Sequence, residues 1–167
     1  MNRPRLAPLV LALALSLTAA PALVPVFAQK STLAPEVARV SREPKVIVNQ
    51  IQLAIREEKK ALSGFESFDS EEALAQARQA ATNAYVLVRA ARYGVEDIKD
   101  FRNRHRKPAD PILDLVFQKV DRAWNNARWP VDSYQAPGGG RARYLQESIQ
   151  RMHEAVNLLE QVLYMWP

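Results

Sequence analysis

Leu145-Gln-Glu-Ser-Ile149-Gln-Arg-Met152-His-Glu-Ala-Val156-Asn-Leu-Leu159-Glu-Gln-Val-Leu163-Tyr-Met-Trp166 is the stretch whose reading decides the fold. Leu145, Ile149, Met152, Val156, Leu159, Leu163 and Trp166 are spaced by four and three residues in strict alternation. A helix turns once in about 3.6 residues, so a seven-residue period gathers these side chains into one stripe and turns the intervening Gln, Glu and Arg towards water. The spacing predicts a helix from about Arg141 to Tyr164. A narrow stripe of this kind is buried by other helices, which makes a bundle the first expectation.

Upstream, Val131 to Gly140 carries Pro137 and three consecutive glycines and reads as a loop. Before it, Asp110-Pro111 is a helix opening, with Asp as the cap and Pro in the first turn. The helix expected there covers about Pro111 to Arg128. Its inward set is Leu113, Val116 or Phe117, Val120, Ala123 or Trp124, and Ala127, and Trp129-Pro130 is expected to stop it. Further back, Leu74, Ala77, Ala81, Ala84, Val88, Ala91, Val95 and Ile98 again alternate three and four. They predict a long helix from about Ser70 to Asn103, opened by Asp69 as cap with Glu72 three residues on. Its alanines imply a close neighbour, and Gly94 should weaken it by about 1 kcal/mol relative to Ala. Pro44 to about Ser63 forms the first helix, with Ile47, Ile51, Ala54 or Ile55, and Leu62 inward and Gly64 as a C-terminal cap. Residues 29–43 form a lead-in containing Pro35, in which Val37 and Val40 can share one helical turn. No segment alternates with β-branched residues, so no sheet is expected. Four amphipathic helices with short to moderate connections predict an all-α, up-down-up-down four-helix bundle over 44–167.

Residues 1–28 have a different character. Arg3 and Arg5 precede an uncharged run centred on Leu9-Val-Leu-Ala-Leu-Ala-Leu15, which closes at Val26-Phe-Ala28. Basic start, apolar centre and small residues at the end are the order of a cleaved secretory signal. Pro8, Pro21 and Pro25 interrupt the run and count against a permanent anchor. Cleavage after Ala28 leaves 139 of the 167 residues, enough for one domain with a real core. Loss of Arg3 and Arg5 lowers Lys+Arg from 23 to 21, against 18 Asp+Glu. The resulting charge of +3 does not point to nucleic acid. The expected location is outside the cytoplasm, in a periplasm or thylakoid lumen. The sequence has no cysteine, which removes thiolate metal sites, c-type haem attachment, a cysteine nucleophile and a lipidated cysteine from consideration. The fold must rest on packing.

Bundles can hold haem or metal between facing helices, so an electron carrier of cytochrome b562-like architecture is the alternative reading. The candidate axial ligands are sparse: His105 lies in a basic tract, and His153 adjoins Met152, so the two cannot both face the core squarely. A di-metal carboxylate site needs Glu three residues before His, but Gln150 and Arg102 occupy those places. Glu58 is expected at the edge of the inner face of the first helix, reaching water. Gly138-Gly-Gly-Arg141 lacks the full phosphate-loop pattern and reads as a linker. No serine lies in a nucleophile-elbow context. The expectation is a non-enzymatic protein without catalytic, cofactor-binding or metal residues.

Charge and aromaticity carry more information. Arg102, Arg104, His105, Arg106 and Lys107 cluster at the connection between the second and third helices, forming a basic pole. Cations also suit a helix C-terminus simply because of its dipole. The other pole would hold Phe65, Phe68, Asp69, Trp129, Asp132 and Tyr134. Exposed aromatics beside loops suit protein docking, although the same rings can plug the end of a core. Trp129 is expected to be such a plug. The chain is therefore expected to bind a protein partner or membrane-associated complex, or an anionic surface, through one pole.

Leu115-Val-Phe-Gln-Lys-Val-Asp-Arg122 and Tyr144-Leu-Gln-Glu-Ser-Ile-Gln150, continued by Val156-Asn-Leu-Leu159, resemble the PsbQ-type extrinsic proteins of photosystem II. The order of export signal, lead-in and four helices is similar too. The resemblance implies a lumenal four-helix bundle, an accessory subunit that docks on a membrane complex. Bacterial members often carry a lipid-anchored cysteine, which this chain lacks.

Overall fold

The computed structural model describes residues 33, 37–67, 70–133 and 141–166. The expected signal segment, Phe68, Asp69, Tyr134 and the glycine run 138–140 lie outside the described residues. Four helices follow one another: α1 (Pro44–Glu66), α2 (Glu71–Arg104), α3 (Pro111–Ser133) and α4 (Arg141–Met165). Each packs against its two neighbours around a square, and the diagonal pairs make no close backbone approach. This is the expected all-α four-helix bundle. No helix among the described residues is long and apolar enough to cross a membrane.

Several local expectations are corrected. Gly64 does not cap α1, which runs on to Glu66 with Ser67 closing it by donating its backbone N–H to the Ser63 carbonyl. Gly64 instead lets α1 approach α2, because a Cβ there would lie 2.8 Å from that of Ala77. The cap of α2 is Ser70 rather than Asp69, with its hydroxyl accepting the Ala73 N–H at 3.2 Å. Nor does Pro130 stop α3. The helix continues to Ser133 with Pro130 inside it and buried. Proline removes one backbone hydrogen bond, but Pro130 stands within the last turn of α3, where burial of its ring keeps it against the bundle and the exposed Arg128–Asp132 ion pair (2.8 Å) spans it. By contrast, Asp110 caps α3 as expected, accepting the Leu113 N–H at 3.2 Å.

The core follows the stripes read from the sequence. Ile47, Ile51, Ala54 and Leu62 of α1, the alanines and Val88 of α2, and Val116, Val120 and Ala123 of α3 are buried. In α4 the buried face is turned slightly from the heptad reading. Ser148, Ala155 and Val162 are fully buried beside Met152 and Leu159, whereas Ile149 and Leu163 are only partly buried.

Glu58 departs most from expectation. It is 1% exposed rather than reaching water, and neither carboxyl oxygen meets a hydrogen-bond partner among the described residues. It shares a face with Ala54, Ile55, Ala61 and Leu62, all buried, so the helical repeat carries it inward. Desolvation by burial lifts its pKa from an ordinary 4.5 to about 8.

The lead-in is part of the domain. Leu33 and Val37 pack against the core. Buried Gln50 donates through Nε2 to the Val37 and Arg39 carbonyls at 3.0 and 2.6 Å, holding the backbone there. Ser41 crosses α2 at Gly94, where a Cβ would collide with the Ser41 carbonyl oxygen and lie 2.9 Å from Ile47 Cδ1. Gly94 is therefore a crossing point, and its flexibility is incidental.

Two outcomes are expected. Because the native state holds a proton on Glu58 that the unfolded chain has released, stability is fully present below about pH 4.5. It falls as pH rises towards 8, by at most about 1.4 kcal/mol per unit. Urea unfolding across that range should show the slope, and Glu58→Gln should flatten it. Gly94→Ala should lower stability by about 1–3 kcal/mol through overpacking, despite the better helix propensity of alanine. It should also speed proteolysis within 37–43, and a rise in thermal midpoint would count against the crossing.

Candidate docking surface

The basic tract forms the tip of the α2–α3 hairpin. Gly94 faces Ile47 near the start of α1, and Arg42, just before α1, reaches Asp97 at 3.3 Å. α2 runs on to Arg104, so its end projects past the start of α1 by about 10 Å at a helical rise of 1.5 Å per residue. On the other side, Lys119 donates to Gln161. That antiparallel register puts Leu115 level with Met165, where α4 ends. The first turn of α3 thus projects past α4, and both arms of the hairpin leave the four-helix part together.

The turn at the tip is closely hydrogen-bonded. Arg106 N–H donates to the Asn103 carbonyl and Lys107 N–H to that of Arg102, at 3.1 and 3.0 Å. These are the paired bonds of a Schellman ending. Its left-handed position, which glycine normally fills, is held by Arg106 at φ 49°. Arg102 closes the loop, donating to the Pro108 carbonyl at 3.0 Å with Asp110 at 3.8 Å. Lys99 pairs with Asp114 at 2.8 Å.

The expected basic residues therefore divide. Arg102 is half-buried and structural. Arg104, Arg106 and Lys107 are exposed. Arg104 Nε donates to the Asp100 carbonyl at 3.3 Å, and none of the three has a carboxylate partner among the described residues. His105 is exposed, with Nδ1 2.8 Å from the Phe101 carbonyl and its ring 4.1 Å from that of Phe101.

Sequence reasoning missed the apolar side chains around them. Among the described residues, the exposed large apolar side chains are Val40, Phe101, Ile112, Leu115 and Tyr164. They come from the lead-in, the end of α2, the start of α3 and the end of α4, all at this one pole. Ile112 is 54% exposed and Tyr164 is 93% exposed. Part of the signal was present in the sequence, since Leu115 lies off the Leu113–Val116 stripe; Phe101, three residues after Ile98 and seven after buried Gly94, continues the α2 spacing and gives no such sign.

The aromatic and acidic pole is correspondingly reduced. Phe65 is 2% exposed, because α1 continues through it and the repeat carries it inward beside Leu62. It plugs the core and offers no docking surface. Trp129 is partly buried, and Asp132 is exposed and paired with Arg128. Of the ligand candidates, His153 is exposed with Nε2 3.2 Å from Glu66, whereas Met152 is buried, so the two do not converge. Among the described residues no group of three or more His, Asp or Glu is placed to hold a metal.

Arg92 joins α2 to α3 beneath the tip. Its Nε donates to Asp121 at 2.6 Å and its Nη1 to Glu96 at 2.8 Å. The guanidinium carbon lies 5.1–5.3 Å from the rings of Trp124, Tyr93 and Phe117. Such a fork between carboxylates and ring faces holds the hairpin arms in register. Compared with known proteins, the chain matches no family model, no curated protein and no solved structure.

A side chain other than glycine in the left-handed region costs about 1 kcal/mol or more. Arg106→Gly should therefore raise stability by about 1 kcal/mol in denaturant unfolding. A loss of stability would mean that the arginine side chain supports the turn.

Proposed function

We propose that this chain is an exported, non-enzymatic accessory protein that docks through the α2–α3 tip on a membrane-associated protein complex. The observation that carries the reading is the shared placement of apolar and cationic side chains. Phe101, Ile112, Leu115 and Tyr164 are exposed at the pole that also presents Arg104, Arg106 and Lys107. Exposed apolar side chains gathered at one end, rather than scattered singly, mark an interaction site. Arginine standing where glycine would relieve backbone strain adds to this, because such strain concentrates at functional positions. The secretory pattern of residues 1–28 places the partner outside the cytoplasm in this reading. The resemblance to PsbQ-type proteins makes a photosystem II complex on the lumenal side the specific form of the proposal.

The test is a crosslinking pull-down from native envelope or thylakoid membranes. The parent chain should capture a defined protein complex, and Arg104→Gln/Arg106→Gln/Lys107→Gln should reduce that capture at least several-fold, by about 1 kcal/mol or more in aggregate. An unchanged set of crosslinked proteins would sink the tip as the docking surface.

A further inference from the structure

The chemistry of the tip suits a particular kind of partner, and this inference rests on the reading of the tip as a docking surface. We infer that the tip rests on a bilayer of anionic phospholipid, with Phe101, Ile112 and Leu115 entering the headgroup region and Arg104, Arg106 and Lys107 meeting the phosphates.

The exposed apolar side chains, though gathered at one pole, are spread over three helices, Phe101 on α2, Ile112 and Leu115 on α3 and Tyr164 on α4. A protein partner draws most of its binding energy from anchors that fill well-packed, desolvated pockets. A fluid interface accepts dispersed apolar groups wherever they fall and rewards each for the area it buries. Cations on long arms around them match the other half of that interface, because arginine and lysine keep their heads at phosphate level while their stems lie along apolar surface. The nearby acids are largely committed. Asp110 is paired with Arg102, Asp114 with Lys99 and Asp97 with Arg42, which leaves exposed Asp100 as the opposing charge on α2. The hairpin projects about 10 Å past the start of α1 and, by the first four residues of α3, about 6 Å past the end of α4, within the depth to which interfacial apolar faces sink, about 5–10 Å. The tip can therefore reach that depth before α1 or α4 meets the headgroups.

The experiment is co-sedimentation of the full chain with vesicles of phosphatidylcholine alone or mixed with phosphatidylglycerol. Every variant keeps the same N-terminal segment, so any contribution from its apolar run cancels. The parent should bind the mixed vesicles about a hundredfold or more tightly than the neutral ones, and less so at raised salt. Arg104→Gln/Arg106→Gln/Lys107→Gln should weaken that binding on the order of a hundredfold. Arg56→Gln/Lys60→Gln/Arg122→Gln removes equal charge from exposed positions elsewhere and should change it little. Phe101→Ser/Leu115→Ser should weaken binding at raised salt as well, because the apolar part is not screened. The inference is overturned if the parent ignores phosphatidylglycerol, or if the tip and control variants lose binding equally. It is likewise overturned if the tip variants keep vesicle binding but lose their crosslinked protein partner, a result that leaves the docking reading standing. Tip variants that keep both would remove the two together.

Discussion

On its buried side α2 presents Ala77, Ala80, Ala81, Ala84, Ala91 and Gly94, and the backbone of α1 comes close enough that a Cβ on Gly64 would crowd Ala77. Small residues on both helices permit this approach, and it fixes their register. The same seam receives the lead-in, where Ser41 crosses at Gly94 and Gln50 holds the carbonyls of Val37 and Arg39. With no disulfide in the chain, this close packing and the larger residues of α3 and α4 are what hold the domain together.

Register then determines shape. Once Gly64 faces Ala77 and Ile47 faces Gly94, α2 is too long for α1, and its last turns extend beyond the bundle. Arg92 holds the emerging hairpin arms by joining Asp121 across the α2–α3 groove while its guanidinium lies near three rings. The projection leaves Phe101 and Ile112 without helices to cover them, and Leu115, level with the end of α4, lies off the inward stripe of α3. The apolar character of the pole is thus a consequence of unequal helix lengths and a fixed starting point. Its basic character has a second origin, since cations favour a helix C-terminus and arginine occupies even the left-handed position of the turn.

Glu58 shows the opposite pressure inside the core. A carboxyl group without a hydrogen-bonding partner among the described residues is tolerated there only in its neutral form, so burial raises its pKa. Periodicity dictated its inward position, and nothing local compensates for it. The bundle therefore carries an internal sensitivity to pH that is remote from the docking pole.

Helix number, type and approximate limits were legible in the chain because the three-and-four spacing of Leu, Val and Ala is a local property of each helix. The cap at Asp110, the alanine seam and the basic tract were legible for the same reason. Other features depended on neighbours. Pro130 and Gly64 look like helix ends until packing from outside holds the proline ring or uses the missing Cβ. Glu58 looked like an edge residue because a single helix does not reveal how wide a face its partners will cover, and Phe65 looked like a loop aromatic because Gly64 reads as the end of the helix before it. Most of all, the sequence by itself placed four cations at one connection, whereas only the tertiary structure decided that Phe101 and Ile112 would be stranded beside them. Exposure depends on where α1 and α4 begin and end relative to α2 and α3, and that offset is set by contacts between helices far apart in the chain.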